Sequence, residues 1–134
     1  MWKISFSACS RAAGPDGDGV MWLFAIAAAA EGLTGLALVA TPGLVAKLLL
    51  GTELDPGGTA MGRFGGVALT CFALACWPVG DSPTVAARRA MLLFQPAMTL
   101  VLILTAFLTS LAGVLLWPAI LYHAGASIVL ARRS

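Results

Sequence analysis

Four stretches of the chain are apolar for close to the length of a membrane crossing, and the polar residues gather in the gaps between them. They cover about residues 20–40, 59–79, 85–108 and 111–131. A helix needs about 20 mostly apolar residues to cross the hydrocarbon layer. Residues 43–50, Gly-Leu-Val-Ala-Lys-Leu-Leu-Leu, form a fifth apolar run that is far too short to span. That run predicts a short helix lying at the interface, capped by Gly51. The expected fold is all-α: an integral membrane four-helix bundle with a short interfacial helix between helices 1 and 2.

Breaker residues punctuate this pattern. Thr41-Pro42-Gly43 ends the first helix, because a proline disfavours helix in the residue before it. Trp77-Pro78 closes the second helix, and Gly80-Asp81-Ser82-Pro83 reads as a turn. Gln95-Pro96 interrupts the third, which predicts a kink and a freed carbonyl at Leu92. Gln95 is most simply a donor to that carbonyl. Thr109, Ser110 and the residues up to Gly113 make a tight connection to the fourth helix, which carries Trp117-Pro118 and Tyr122-His123. Gly58, Gly62 and Gly66 recur every four residues, a spacing that lets two helices approach closely in lipid.

Composition agrees with a membrane domain. The chain is 60% hydrophobic and 10% charged, against about 25% charged residues in soluble domains. Residues 20–134 are therefore read as one transmembrane domain. Residues 1–19, with Lys3, Arg11, Asp16 and Asp18, are read as a flexible cytoplasmic tail. The apolar run continues past Glu31 to Ala40, longer than the apolar region of a signal peptide. The net charge of +2 argues against nucleic acid as a partner. In a four-span arrangement Lys3, Arg11, Arg88, Arg89, Arg132 and Arg133 fall on one side and Lys47 on the other. The positive-inside rule then makes both termini cytoplasmic, with Trp22 and Trp77 at that interface. Cys9, Cys71 and Cys76 form no metal-ligand pattern and read as small apolar residues.

Three ionisable residues interrupt the spans. Glu31 lies eleven residues into the first helix, roughly 17 Å deep, and His123 twelve residues into the fourth, roughly 18 Å deep. Arg63 lies about 6 Å deep at its Cα and carries a long side chain. Small or hydroxyl residues flank each one: Ala27, Ala28, Thr34 and Gly35 beside Glu31; Thr59, Gly66 and Thr70 beside Arg63; Ala119, Ala126 and Ser127 beside His123. Such faces suit helix contacts and polar partners better than lipid. Tyr122, adjacent to His123, is expected to point elsewhere. Glu31, Arg63, His123, Gln95 and Ser127 form the candidate polar cluster, with Glu31 and Arg63 expected to pair. Either the pair is a structural lock on helix packing, or the cluster is a ligand or proton site, since ionisable groups at mid-membrane are unusually often functional. One histidine excludes bis-histidine haem within a chain. The absence of a phosphate-binding glycine loop and of a Ser-His-Asp set argues against hydrolysis or phosphoryl transfer.

Glu31-Gly32-Leu33-Thr34-Gly35, the Pro42 turn, the Leu48–Gly51 run, Arg63 beside Gly62, and Leu115–Ala119 with His123 carry a resemblance. Over about residues 20–131 the chain resembles small four-helix bacterial inner-membrane proteins, loosely DoxX-like. That resemblance implies a multi-pass protein of the inner membrane, an accessory subunit of quinone-linked redox systems, with quinone as the cofactor in view. It implies membrane lipids, a homo-oligomer or a larger membrane complex as partners. Over Ala27–Gly35 the chain is also similar to small multidrug resistance transporters, which place a glutamate in helix 1 and exchange protons for cations. The two expected functions are thus an accessory or quinone/lipid-binding subunit and a proton-coupled transporter.

Overall fold

The computed structural model describes residues 15–79 and 83–133. Among them are five helices and no strand: α1 (Pro15–Ala40), α2 (Pro42–Leu50), α3 (Pro56–Cys76), α4 (Val85–Leu108) and α5 (Leu116–Arg132). Of the tail expected at 1–19, residues 1–14 lie outside the described residues, and the remainder already belongs to α1. The Gly80–Ser82 part of the expected turn also lies outside them.

Three helices are long and apolar enough to cross a membrane: Gly19–Ala40, Pro56–Cys76 and Val85–Leu108. At 1.5 Å per residue these run from about 31 to about 36 Å, against a hydrocarbon core of about 30 Å. Their outward residues are apolar too, with Trp22, Leu33, Phe64, Leu74 and Leu93 among those most exposed. A helix that is apolar on every side belongs in a core or in lipid.

The ends follow local chemistry. The Asp55 carboxylate caps α3 by accepting from the Gly58 N–H at 2.5 Å, and Pro56 occupies the first helical position, where no donor is needed. Thr84 caps α4 through the Ala87 N–H at 3.1 Å. Gly51 closes α2 at φ 72°, the left-handed conformation that glycine adopts without strain. The helix expected from 111 begins instead at Leu116. A start at 111 would place Pro118 where its nitrogen must donate; in the observed helix it falls in the first turn, whose N–H groups need no partner. The freed segment docks on α2. Gly113 N donates to the Leu49 carbonyl at 3.1 Å and Leu115 N to the Leu48 carbonyl at 2.8 Å, satisfying carbonyls that the end of α2 leaves open.

Packing is pairwise. α1 lies chiefly against α3, antiparallel, and α4 against α5. A Cβ on Gly66 would meet the Gly35 carbonyl at 2.6 Å and Leu38 Cβ at 2.8 Å, and one on Gly35 would meet Thr70 and Gly66. Gly62 faces Pro42. These glycines hold the close crossing that their spacing predicts. Gly58 does not take part: it faces Leu54 and Asp55 of its own connection, because it lies in the first turn of α3, beyond the crossing. Two apolar clusters close the ends of the molecule. Phe24, Ala28, Cys76, Met91 and Leu130 join all four long helices at one end. Leu102, Leu116 and Ile120, with Leu49 of α2, fill the other. Between them lies a polar layer.

Candidate functional site

Most hydroxyls in the long helices are satisfied within their own helix. Thr34, Thr70, Thr99, Thr105 and Ser127 each donate to the carbonyl four residues back, at 2.7–2.9 Å. Such back-bonding satisfies a hydroxyl without a partner from another helix. Ser127 thus reaches the His123 carbonyl, not the cluster expected around the His123 ring.

Among the described residues, Glu31, Gln95 and His123 are the buried polar ones, from α1, α4 and α5 respectively. Their side chains meet. Gln95 Nε2 donates to Glu31 Oε1 at 3.1 Å, and Gln95 Oε1 lies 2.5 Å from His123 Nδ1. Nδ1 itself is 3.8 Å from Glu31 Oε1. Gln95 therefore bridges a carboxylate and an imidazole, and does not donate to a freed carbonyl beside Pro96 as the sequence suggests. The reason is reach: Gln95 is fully buried on the face of α4 that meets α1 and α5, one turn beyond Met91 in the core. With all three residues buried, an unmade bond on any of them is expensive, so the network closes on itself.

Arg63 stands apart. It is exposed on α3, and among the described residues no ion pair joins it to Glu31. The glycine crossing sets the distance. Gly62 lies level with Pro42, so Arg63 sits near the far end of α1, about eleven residues or roughly 16 Å along the axis from Glu31. No arginine side chain bridges that gap. The expected Glu31–Arg63 pair is replaced by Glu31–Gln95–His123.

Aromatic rings border the set. Phe94 and Tyr122 lie edge-on to His123, with centroids 6.1 and 4.9 Å away, and Phe94 also packs on Phe72 at 4.6 Å. Tyr122 does not point away. Its ring packs edge-on to His123 and lines an apolar groove of about 200 Å³ between α1 and α5. Leu23 and Ala27 form one wall of that groove, Ala126 and Leu130 the other. The small residues around Glu31 and His123 were the available signal for it: Ala27 and Ala126 leave room between helices that larger residues would fill. Among the described residues no group of three or more His, Cys, Asp or Glu side chains is placed to hold a metal ion. Compared with family models, with curated proteins and with solved structures, the chain matches none. The fold and the site define a small helical protein with three membrane-compatible helices and a buried Glu-Gln-His layer.

Proposed function

We propose that the chain is a multi-pass membrane protein that binds a quinone or another lipid as an accessory subunit of a larger membrane assembly. α1, α3, α4 and α5 cross the membrane as a four-helix bundle, and α2 lies at the interface. The orientation puts Arg88, Arg89, Arg132 and Arg133 on the cytoplasmic side of a bacterial inner membrane, as the positive-inside rule requires. The observation that carries the reading is the Glu31–Gln95–His123 layer at mid-helix, bordering an apolar groove. A buried, hydrogen-bonded set of this kind at membrane depth is a site by default, and an adjoining apolar groove is where a lipid chain fits. The test is purification in mild detergent, then extraction and mass analysis of bound lipid. A lipid enriched in wild type and lost in His123→Ala supports the reading; bulk phospholipid alone in both overturns it.

One observation favours a second reading, proton-coupled transport. Arg63 is out of reach of Glu31, so no fixed cation holds the carboxyl in its charged state. Proton release when candidate cations are added to the purified protein, abolished in Glu31→Gln, would establish it.

A further inference from the structure

The groove between α1 and α5 has apolar walls and opens out of the bundle. Leu23 and Ala27 stand on the α1 side, Ala126 and Leu130 on the α5 side. Ile26 and Val129, which also line it, are exposed, so it is reached sideways from outside the helices. Its volume, about 200 Å³, is below the range of ordinary ligand pockets and suits a single chain.

Both walls continue to a cation. α5 runs antiparallel to α1, since Glu31 approaches His123 and Gly19 approaches Arg133. On α1, Gly19, Leu23 and Ala27 follow one another at four-residue steps on one face. On α5, Ala126, Leu130 and Arg133 follow at steps of four and three. The two lines meet: a Cβ on Gly19 would lie 2.8 Å from Arg133 Nη1. The Arg133 guanidinium therefore lies against α1 from the end of α5, one turn beyond Leu23 and Leu130, and the missing side chain of Gly19 leaves it the room. Arg133 and its neighbour Arg132 are both exposed. The membrane-compatible segment of α1 begins at this same Gly19. In a bilayer the guanidinium thus stands where hydrocarbon gives way to headgroups, about 12 Å along the axis from Ala27.

We infer that the groove takes one acyl chain of an anionic phospholipid, with its phosphate held by Arg133 where the two walls end. The inference rests on the lipid-binding reading above and names the class of lipid. A guanidinium presents paired donors that match two oxygens of a phosphate. A zwitterionic head brings its own cation to the same place, beside Arg132 and Arg133, where like charges repel.

The test titrates purified protein in dodecyl maltoside with dioleoyl phosphatidylglycerol, with the phosphatidylethanolamine of the same chains, and with dioleoylglycerol, which lacks the phosphate. Bound lipid is read by native mass spectrometry. Wild type should bind the phosphatidylglycerol about ten-fold tighter than the phosphatidylethanolamine, the worth of one charge-assisted contact. Arg133→Gln should remove this preference. Gly19→Leu, which keeps every charge and pushes the guanidinium away from α1, should remove it too. Arg89→Gln takes an equal charge from α4 at the same end of the bundle and should leave the preference in place. Ala126→Leu, which fills the groove, should weaken all three lipids. An equal loss of preference in Arg89→Gln and Arg133→Gln overturns the phosphate site. So does an Arg133→Gln variant that melts lower and keeps the preference, which would mark an ion pair to Asp16 or Asp18 of α1 instead. Equal affinity of wild type for the three lipids, lost in Ala126→Leu, overturns the phosphate site and leaves lipid binding standing. Saturable binding of none of them to wild type overturns both.

Discussion

Gln95→Leu is the sharpest perturbation of the polar layer. Leucine has nearly the volume of glutamine, so the change removes two hydrogen bonds without opening a cavity of consequence. One of those bonds reaches a carboxyl and the other an imidazole, both buried. Side-chain bonds between membrane helices are worth about 0.6 kcal/mol on average and up to about 1.7. Stranding a buried polar partner adds about 1–3 kcal/mol. Two bonds and two stranded groups, partly relieved because His123 and Glu31 lie close enough to draw together, put the loss at about 2–4 kcal/mol. Replacing all three residues with apolar ones should cost less than Gln95→Leu alone, since no polar group is then left without a partner. Thermal unfolding in mild detergent of Glu31→Leu, Gln95→Leu, His123→Phe and the triple variant measures this. A triple loss equal to the sum of the single losses, within about 0.5 kcal/mol, would show three independent residues and refute the network. Arg63→Leu is the built-in control: roughly 16 Å from Glu31, it should add to Gln95→Leu without coupling.

Other outcomes follow from the fold. Gly66→Ala should destabilise by about 1–3 kcal/mol, because the new Cβ meets the Gly35 carbonyl at 2.6 Å, whereas Gly65→Ala, with nothing within 4 Å, should be neutral or slightly stabilising; melting temperatures decide it. Gly51→Ala should cost about 1–2 kcal/mol, since φ 72° strains an L residue and its Cβ would press on the Ala112 carbonyl; the same melts read this, and an unchanged midpoint would contradict the α2 cap. In a cysteine-free background, an impermeant thiol reagent added outside cells should label cysteines placed within 52–57 and spare those within 80–84; the reverse pattern would invert the proposed orientation.

Much of the helix pattern is legible in the chain because lipid and proline act locally. Runs of apolar residues mark α1, α3 and α4, Pro42 and Gly51 bracket α2, and Trp77 ends α3. The start of α5 is not read correctly, because an apolar run does not show whether its first residues are helical. Only the position of Pro118 relative to the helix start decides that. The site is half legible. Glu31 and His123 stand out as ionisable groups in apolar runs, and both are buried. Their connection is hidden because it depends on the register between helices. Charge alone suggests Arg63 as the partner of Glu31. The register says otherwise, and its signal was present in the sequence: Gly35 and Gly66 are the small residues on which an antiparallel pair would cross, and that crossing carries Arg63 toward Pro42. Gln95 belongs to the candidate cluster but, beside Pro96, reads as a donor to the freed carbonyl; its amide can also donate to a carboxylate and accept from an imidazole at once, which is the role it takes.

The place of the layer in the architecture links its chemistry to the packing. α1 is held to α3 by the glycine crossing, and α4 to α5 by a long shared face, while fewer close contacts join one pair to the other. The Glu31–Gln95 bond runs from the first pair to the second, and His123 completes it within the second. The groove lies on the same seam, between α1 and α5. A molecule seated there touches both pairs. Anything that rearranges the Glu31–Gln95–His123 chain alters how firmly the two pairs are joined. Ligand binding and seam stability are therefore one equilibrium read in two ways: a ligand seated in the groove should raise the unfolding midpoint, and loosening the seam by removing Gln95 should weaken that ligand along with the fold.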